Sequence, residues 1–352
     1  MIGILDRYIG RTVAAATLLA LGAVAALDTV VGLMGELARV DAAYPPAAAL
    51  RHVLLGLPGE AVALMPLALL LGTLMGLGAL AARSELVVMR AAGISVPRIG
   101  ASVMVAALPL AAAAAVLGEW VVPQTERLAR ATRAHAESLG IMYSESGFWA
   151  RAGGHFVHVQ RILPGGRLVG VTVYETDEEG LRRVRTARLA TLEEGAWVLH
   201  DVRTTDFGEG TVGARDAARV QAPALLDPET ARVLATPPEE LSVRGLLRYR
   251  AYLRANGLDA RRYEAALWAK LLSPLTNLLI VALAVPFVFG PLRSSSAGAR
   301  LAAGIFLGIA VHLGARLSEQ AGHAFGWPPV LGAALPAAVL ALAVGVAFRA
   351  VR

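Results

Sequence analysis

The chain has 352 residues, of which 56% are hydrophobic and 17% charged, so it is too apolar for a soluble domain and too charged for membrane spans alone. It contains no cysteine, which excludes disulfide frameworks, thiolate nucleophiles and zinc–thiolate sites. The formal net charge is +6, and Lys270 is the only lysine, so nearly all the basic residues are arginines. In a membrane protein, such a basic excess first suggests anchoring on the cytoplasmic side, and only second an anionic ligand.

Six segments are long and apolar enough to cross a membrane, which takes about 20 residues at a rise of roughly 1.5 Å per residue. The predicted spans are residues 12–35, 61–82, 99–118, 271–292, 301–320 and 327–348. The first is interrupted only by Asp28, and the fifth is weaker because Arg316 and Glu319 lie near its end. Small residues such as Gly72 in the second span and Gly304 in the fifth predict close helix packing.

Arginines in the short loops predict how the spans are oriented, because such loops are richer in basic residues on the cytoplasmic side. One side has Arg39, Arg51 and Arg316. The other side has Arg7, Arg11, Arg83, Arg90, Arg98, Arg293, Arg300, Arg349 and Arg352. We therefore expect both termini and the loop after the second span to be cytoplasmic, and the long insert between spans three and four to lie outside.

The loop after the second span, "ARSELVVMRAAGIS", predicts a helix of about two turns over residues 84–93. Ser84 is a suitable N-cap, Glu85 lies where the helix dipole favours an anion, and Gly93 is a suitable C′ residue. Leu86 and Met89 are three residues apart and share an apolar face, which we expect to point outward. Two interpretations follow: an amphipathic helix on the membrane surface, or a helix that docks into a cytoplasmic partner.

The insert, residues 123–265, opens with a charged helix and continues as short strands. In "HFVHVQRI" and "RLVGVTVYET" valines alternate with other residues, and "RTARLATLEEGAWVLHDV" predicts two strands joined at Glu194 and Gly195. Short strands separated by Gly and Pro-Gly turns favour an antiparallel sandwich or roll. A helix then follows, with Leu246, Tyr249 and Leu253 on one face.

The sequence lacks the motifs of the common catalytic sites. Lys270 stands between Ala269 and Leu271, so it is not part of a phosphate-binding P-loop, and the chain has no HExxH or GxSxG. Spans without a nucleotide site need an external motor if transport is uphill. No cofactor is expected in this chain.

Five stretches in order along the chain resemble one known family. They are "LDRYIGRT" from Leu5, "ARSELVVMRAAG" from Ala82, "GEWVVPQTE" from Gly118, "YEAALWAKLLSPL" from Tyr263 and "FGPLRS" from Phe289. Together they are similar to the LptF/LptG lipopolysaccharide-export permeases, and most similar to the LptG branch.

The resemblance implies a fold of six transmembrane helices with a periplasmic antiparallel β-jellyroll-like domain inserted between helices 3 and 4. Its domains would be residues 1–122, 123–265 and 266–352. It implies a bacterial inner-membrane half-transporter that pairs with an LptF-like permease. An LptB-like ATPase dimer would bind ATP and Mg, and LptC-like and LptA-like proteins would form a periplasmic bridge for lipopolysaccharide.

In that family the short cytoplasmic helix couples the permease to the ATPase. Carried over, Glu85 makes the polar contact to the ATPase, and Leu86 and Met89 fill its groove. The candidate coupling residues are Ser84, Glu85, Leu86, Met89, Arg90 and Gly93.

Basic residues at the outer membrane boundary are candidates for the phosphates of the lipid. Arg127, Arg130 and Arg133 step by three along one side of a helix, and the resemblance implies that Arg130 and Arg133 face the lipid cavity. The alternative is a solvated face paired with Glu126 and Glu137.

Three residues inside spans are weaker candidates. Asp28 is a carboxylate within the first span, and such charges usually face a cavity or a partner. Relatives can carry a basic residue near this point, where this chain has Gly32, and pairing of Asp28 with a partner's arginine is the alternative to a lipid contact. His312 and Arg316 are four apart and can line the same opening, with packing an equal alternative for His312.

Two other classes of function remain at this point, a secondary transporter and a membrane enzyme or assembly protein for envelope lipids. A secondary transporter should have an inverted repeat and ionisable residues at the bilayer midplane, whereas only Asp28 lies near midspan. An enzyme should have acidic or histidine clusters at an interface.

Overall fold

The computed structural model describes residues 3–40, 44–136, 148–152, 155–163, 167–177, 180–193, 196–208, 211–222, 238–255, 259–290 and 295–351. The chain forms two compact units. The helical unit comprises Met1–Arg39, Val53–Arg127 and Arg261–Arg352, and the β unit comprises Val40–His52 and Leu128–Ala260.

The described ranges contain nine α-helices and one π-helical turn. They are α1 (Ile4–Leu37), α2 (Pro46–Ala82), α3 (Glu85–Ala91), α4 (Val96–Val116), the π-helical turn (Leu117–Val121), α5 (Val122–Ala136), α6 (Val243–Ala255), α7 (Arg261–Phe289), α8 (Ala297–Ala324) and α9 (Pro329–Ala350). Six helical stretches are long and apolar enough to cross a membrane: α1, α2, α4 with its continuation into α5, α7, α8 and α9. This confirms the six predicted spans. Each helix runs beyond its predicted bounds at one end at least, because a charge such as Glu60 ends an apolar run without ending a helix.

The core of the helical unit is built mainly from the inward faces of α2, α4 and α7. Leu70 and Leu77 of α2, Ile99 of α4 and Val281 of α7 are completely buried. The N-terminal part of α1 adds Ile9, also completely buried. Between membrane helices the stabilising contribution is close van der Waals packing, since lipid tails are as apolar as these side chains.

Glycines allow the helices of this unit to approach closely. A Cβ added to Gly72 would lie 2.3 Å from the Cα of Thr17 on α1, and one added to Gly304 would lie 2.7 Å from Cδ2 of Leu71. A Cβ does not fit this close to the backbone of Thr17, and beside Gly304 it would displace the side chain of Leu71. The prediction that these glycines mark helix contacts is therefore confirmed.

The β unit contains a six-stranded antiparallel sheet. Its strands are β1 (Phe148–Ala152), β2 (His155–Leu163), β3 (Arg167–Asp177), β4 (Gly180–Glu193), β5 (Ala196–Gly208) and β6 (Thr211–Gln221), and each pairs with the next in sequence. The predicted antiparallel β domain is thus confirmed, with its described strands arranged as a meander. The predicted joint at Glu194 and Gly195 falls between β4 and β5, outside the described residues. β1 and β6 were not predicted.

One row of residues, here called the crease, interrupts strand pairing across the sheet. Each of its residues lacks a partner on the neighbouring strand, although the residues before and after it are paired. They are Gln160, Gly170, Arg188, Asp201 and Ala218. Gly170 and Asp201 have φ of +64° and +52°. Leu168 and Val171 are both completely buried although they are three residues apart. The alternation of inward and outward side chains is therefore reversed between the two sides of the crease.

Ion pairs join the neighbouring strands β4, β5 and β6 of the sheet. Arg183 of β4 pairs with Asp206 of β5, and Arg203 of β5 pairs with Asp216 of β6 at 2.9 Å. The guanidinium of Arg183 holds the pKa of Asp206 below its usual value, and Arg203 does the same for Asp216. Arg203 and Asp216 are largely exposed, so their pair contributes little to the free energy of folding, whereas the side chains of Arg183 and Asp206 are only 33% and 29% exposed.

The helix α6 lies in the β unit and buries the face that the sequence predicted. Leu246, Tyr249 and Leu253 are each no more than 5% exposed. Tyr252 of the same helix packs against the core of the sheet, and this burial raises the pKa of its hydroxyl.

Candidate functional site

The short helix α3 lies between the second and third spans, where the sequence predicted it. It ends at a Schellman motif: the amide of Gly93 donates to the carbonyl of Arg90 at 3.0 Å, and the amide of Ile94 donates to that of Met89 at 3.1 Å. Gly93 has a φ of +87°, which only glycine adopts without strain, so the predicted C′ residue is confirmed.

The other end of α3 differs from the prediction. Ser84 has a φ of +60° and its side chain makes no capping hydrogen bond. A left-handed residue does not present its hydroxyl to the amides of the first turn, since a capping residue has extended backbone angles. The prediction of a serine cap is therefore wrong, and Ser84 forms a tight turn between α2 and α3.

The apolar face of α3 points into the protein. Leu86 is 3% exposed and belongs to the core of the helical unit, and Met89 packs against the same core. Our expectation that this face would point outward is wrong, because the neighbouring spans offer an apolar surface that a two-turn helix can cover. The outward apolar residues are instead Val87 and Val88, which are 49% and 67% exposed.

Polar groups of α3 contact the start of α1. The hydroxyl of Tyr8 donates to Oε2 of Glu85 at 2.7 Å, and Arg83 lies 4.0 Å from Oε1 of the same carboxylate. Arg90 is exposed in the last turn of α3. The candidate polar residue of the helix is therefore already oriented by its own chain.

A buried polar cluster joins α1 to the start of α4, and sequence reasoning missed it. Arg98 donates to the two oxygens of Asp6 at 2.6 and 3.0 Å, and Ser102 donates to Oδ1 at 2.6 Å. Asp6 is 8% exposed. The residues lie more than 90 positions apart, so no local pattern predicts the pair. Asp6 does lie within the stretch "LDRYIGRT" that carries the resemblance.

The three candidate arginines follow one another on α5. Arg127 is exposed in the helical unit. In the β unit, Arg130 forms an ion pair with Glu240, a partner that the sequence did not suggest. Arg133 lies one turn further along the same helix.

The remaining candidates lie on α1 and α8. Asp28 is exposed on α1. His312 and Arg316 are both exposed on α8. Among the described residues, no group of three or more His, Asp or Glu side chains is arranged to hold a metal ion.

Known proteins resemble the chain over nearly its full length. The family described as lipopolysaccharide export system permease LptF/LptG matches residues 7–350. The lipopolysaccharide export system permease protein LptG of Escherichia coli is 35% identical over 350 residues, covering 96% of this chain and 95% of its own length. LptG of Haemophilus influenzae is 34% identical over 341 residues, with the same coverage.

Proposed function

The chain belongs to the LptF/LptG family of lipopolysaccharide export permeases, and we propose that it is the LptG-type membrane subunit of an ATP-driven exporter. It is a multi-pass protein of the inner membrane with six apolar helices. In the proposed cycle it takes lipopolysaccharide from the outer leaflet of the inner membrane and passes it to LptC-like and LptA-like bridge proteins. An LptF-like permease forms the other half.

The energy for this cycle comes from an LptB-like ATPase dimer, because the chain has no P-loop of its own. The observation that carries the proposal is the exposed face of α3. Val87 and Val88 present adjacent apolar side chains, flanked by Arg83 and Arg90, on a helix held between two spans. Such a rigid apolar projection suits insertion into a groove of the ATPase.

This assignment changes the roles of the coupling residues. Val87 and Val88 enter the ATPase groove, whereas Leu86 and Met89 fix α3 to the helical unit from within. Glu85, oriented by Tyr8, keeps one carboxylate edge for a cation or backbone amide of the ATPase.

The lipid is held through its phosphates by arginines of α5. Arg127 is exposed, and a guanidinium donates to the oxygens of a phosphate in the same forked geometry as to those of a carboxylate. Arg130 therefore exchanges Glu240 for a lipid phosphate during transport. We assign Arg133, Asp28, His312 and Arg316 the supporting positions along the lipid path.

Co-purification of the ATPase tests the docking proposal. Val88→Asp places a charge in the apolar contact, so we expect the amount of LptB-like ATPase retained by the full-length chain to fall at least about tenfold, equivalent to roughly 1.4 kcal/mol. Val212→Asp is the matched control, because Val212 is 69% exposed and lies on β6. Full retention by the Val88 variant would exclude this face as the docking site.

Leu86→Ala separates the two faces of α3. It removes a buried side chain, so we expect a loss of about 2–5 kcal/mol in folding free energy. A variant with unchanged stability and weakened ATPase binding would instead support an outward role for Leu86.

A further inference from the structure

We propose that α1 is a lever clamped at its N-terminal end to α3 and α4, and that Asp6 and Tyr8 are the residues that clamp it. In this arrangement a displacement of α3 moves the whole of α1. The inference rests on the proposed function, since it assumes that the ATPase acts on α3.

The first observation is that every oxygen of the Asp6 carboxylate is occupied. The backbone amide of Gly3 donates to Oδ2 at 2.9 Å, in addition to the bidentate bond from Arg98 and the bond from Ser102. A buried carboxylate held by a forked guanidinium is costly to separate, because Asp6, which is 8% exposed, would be left as a buried charge without its partner. This cluster therefore holds α1 and α4 together through a cycle.

The second observation is that α1 contacts both α3 and the first turn of α4. Tyr8 bonds to Glu85, the first residue of α3, and Asp6 bonds to Arg98 in the first turn of α4. Apolar contacts follow the same line, because Ile9 and Leu86 belong to one buried core. A force on α3 thus reaches α1 directly through the Tyr8–Glu85 bond and the packed interface, and through α4 by the Asp6–Arg98 pair.

The third observation is that the rest of α1 has few contacts within this chain. The buried residues of α1 are Asp6, Ile9, Gly10, Val13, Thr17 and Glu36. Leu18, Leu27 and Met34 are all more than half exposed. A helix fixed over its first 14 residues and largely uncovered beyond them moves as a lever about its fixed end.

The absence of cysteine from the chain allows this inference to be tested with an engineered disulfide. A Cβ placed on Gly10 would lie 3.3 Å from Cβ of Ala106 on α4, close to the roughly 3.5–4.5 Å that a disulfide spans. The pair Gly10→Cys with Ala106→Cys therefore locks α1 to α4 under mild oxidation and releases it under reduction. Each single substitution is the matched control.

The experiment uses the full-length chain in its complex with the ATPase and measures two rates, ATP hydrolysis and ATP-dependent release of lipopolysaccharide. In the otherwise native chain, we expect oxidation of this engineered cysteine pair, here called the lock, to leave both rates unchanged, because α1 and α4 do not separate. Loss of release on oxidation, with the single variants unaffected, would overturn the clamp.

Asp6→Asn weakens the clamp and should uncouple the two rates. We expect lipid release to fall about tenfold, within the usual range of coupling effects, while ATP hydrolysis and retention of the ATPase stay near native values. Oxidising the lock in this variant should restore release, since the disulfide replaces the lost ion pair. Unimpaired release by Asp6→Asn, or impaired release that the disulfide does not restore, would refute the inference. If Asp6→Asn does not accumulate in the membrane, the lock in the native chain decides alone.

These outcomes are distinct from failure of the proposed function. In that case the native chain itself would neither retain the ATPase nor release lipid on addition of ATP. Failure of the lever leaves native transport intact and affects the locked or weakened variants alone.

Discussion

Lys270 supplies a hydrogen bond that the backbone of the third span cannot make. In the π-helical turn, the amide of Val122 donates to the carbonyl of Leu117, five residues earlier. The corresponding donor for Gly118 would be residue 123, which is proline and has no N–H. The ammonium of Lys270 donates to that carbonyl at 2.9 Å and lies 3.9 Å from Glu119. The only lysine of the chain thus compensates for a proline 147 positions earlier.

Lys270→Met should destabilise the chain because it leaves the carbonyl of Gly118 without this donor. We expect a loss of about 1–3 kcal/mol, measured as a lower thermal unfolding midpoint of the purified full-length chain. Thr276→Val on the same helix is the control, since the hydroxyl of Thr276 bonds only to a carbonyl of its own helix. Equal midpoints for the native chain and the Lys270 variant would disprove the compensating role.

The role of a single residue was predictable where one local constraint determines its conformation. Gly93 was predictable because glycine is the residue that most often ends a helix in the left-handed conformation, and its φ of +87° agrees. Ser84 was not, since capping depends on backbone angles that the tight turn after α2 sets. Leu86 and Met89 were correctly placed on one face of α3, but spacing alone cannot say whether that face points to solvent or to the core.

Among the elements, the strands show a similar limit. Alternation along β2 and β3 predicted the strands correctly, and Val171 and Val173 are completely buried. Val169 breaks the pattern, because beyond the crease the inward position passes to Leu168. A reversal shared by several strands depends on pairing between segments, which one segment's pattern does not contain.

Asp201 at the crease gives a direct test of backbone strain. Its φ of +52° is open to glycine without cost, whereas alanine pays roughly 1–2 kcal/mol. We therefore expect Asp201→Gly to protect the amides of β4 and β5 from hydrogen exchange at least as well as the native residue, and Asp201→Ala to protect them less.

Both variants also lose the ion pair between Asp201 and Arg188, whose side chains are 57% and 80% exposed. Arg188→Gln removes that pair without changing the backbone, and its effect should stay within about 0.5 kcal/mol. Equal protection in the glycine and alanine variants would show that the crease is not under conformational strain.

At the scale of the whole molecule, the six spans were the most predictable feature. Transfer of about 20 apolar residues into hydrocarbon dominates every local preference, so composition alone located all six. The contacts that position the candidate site were not predictable. The partners of Glu85, Asp6 and Arg130 lie 77, 92 and 110 positions away in sequence, and only the folded chain brings them together.

The arginine bias predicts that α3 and the sheet lie on opposite sides of the membrane, since one span separates them in sequence. Val88 and Val212 suit a test, because they are 67% and 69% exposed and differ little in access. In the cysteine-free chain, we expect Val212→Cys to react with a membrane-impermeant maleimide in intact spheroplasts. Val88→Cys should react only after lysis in a denaturing detergent, which opens the membrane and dissociates any bound ATPase. Labelling of Val88→Cys in intact spheroplasts would place α3 outside the cytoplasm, where no ATP-driven motor can reach it.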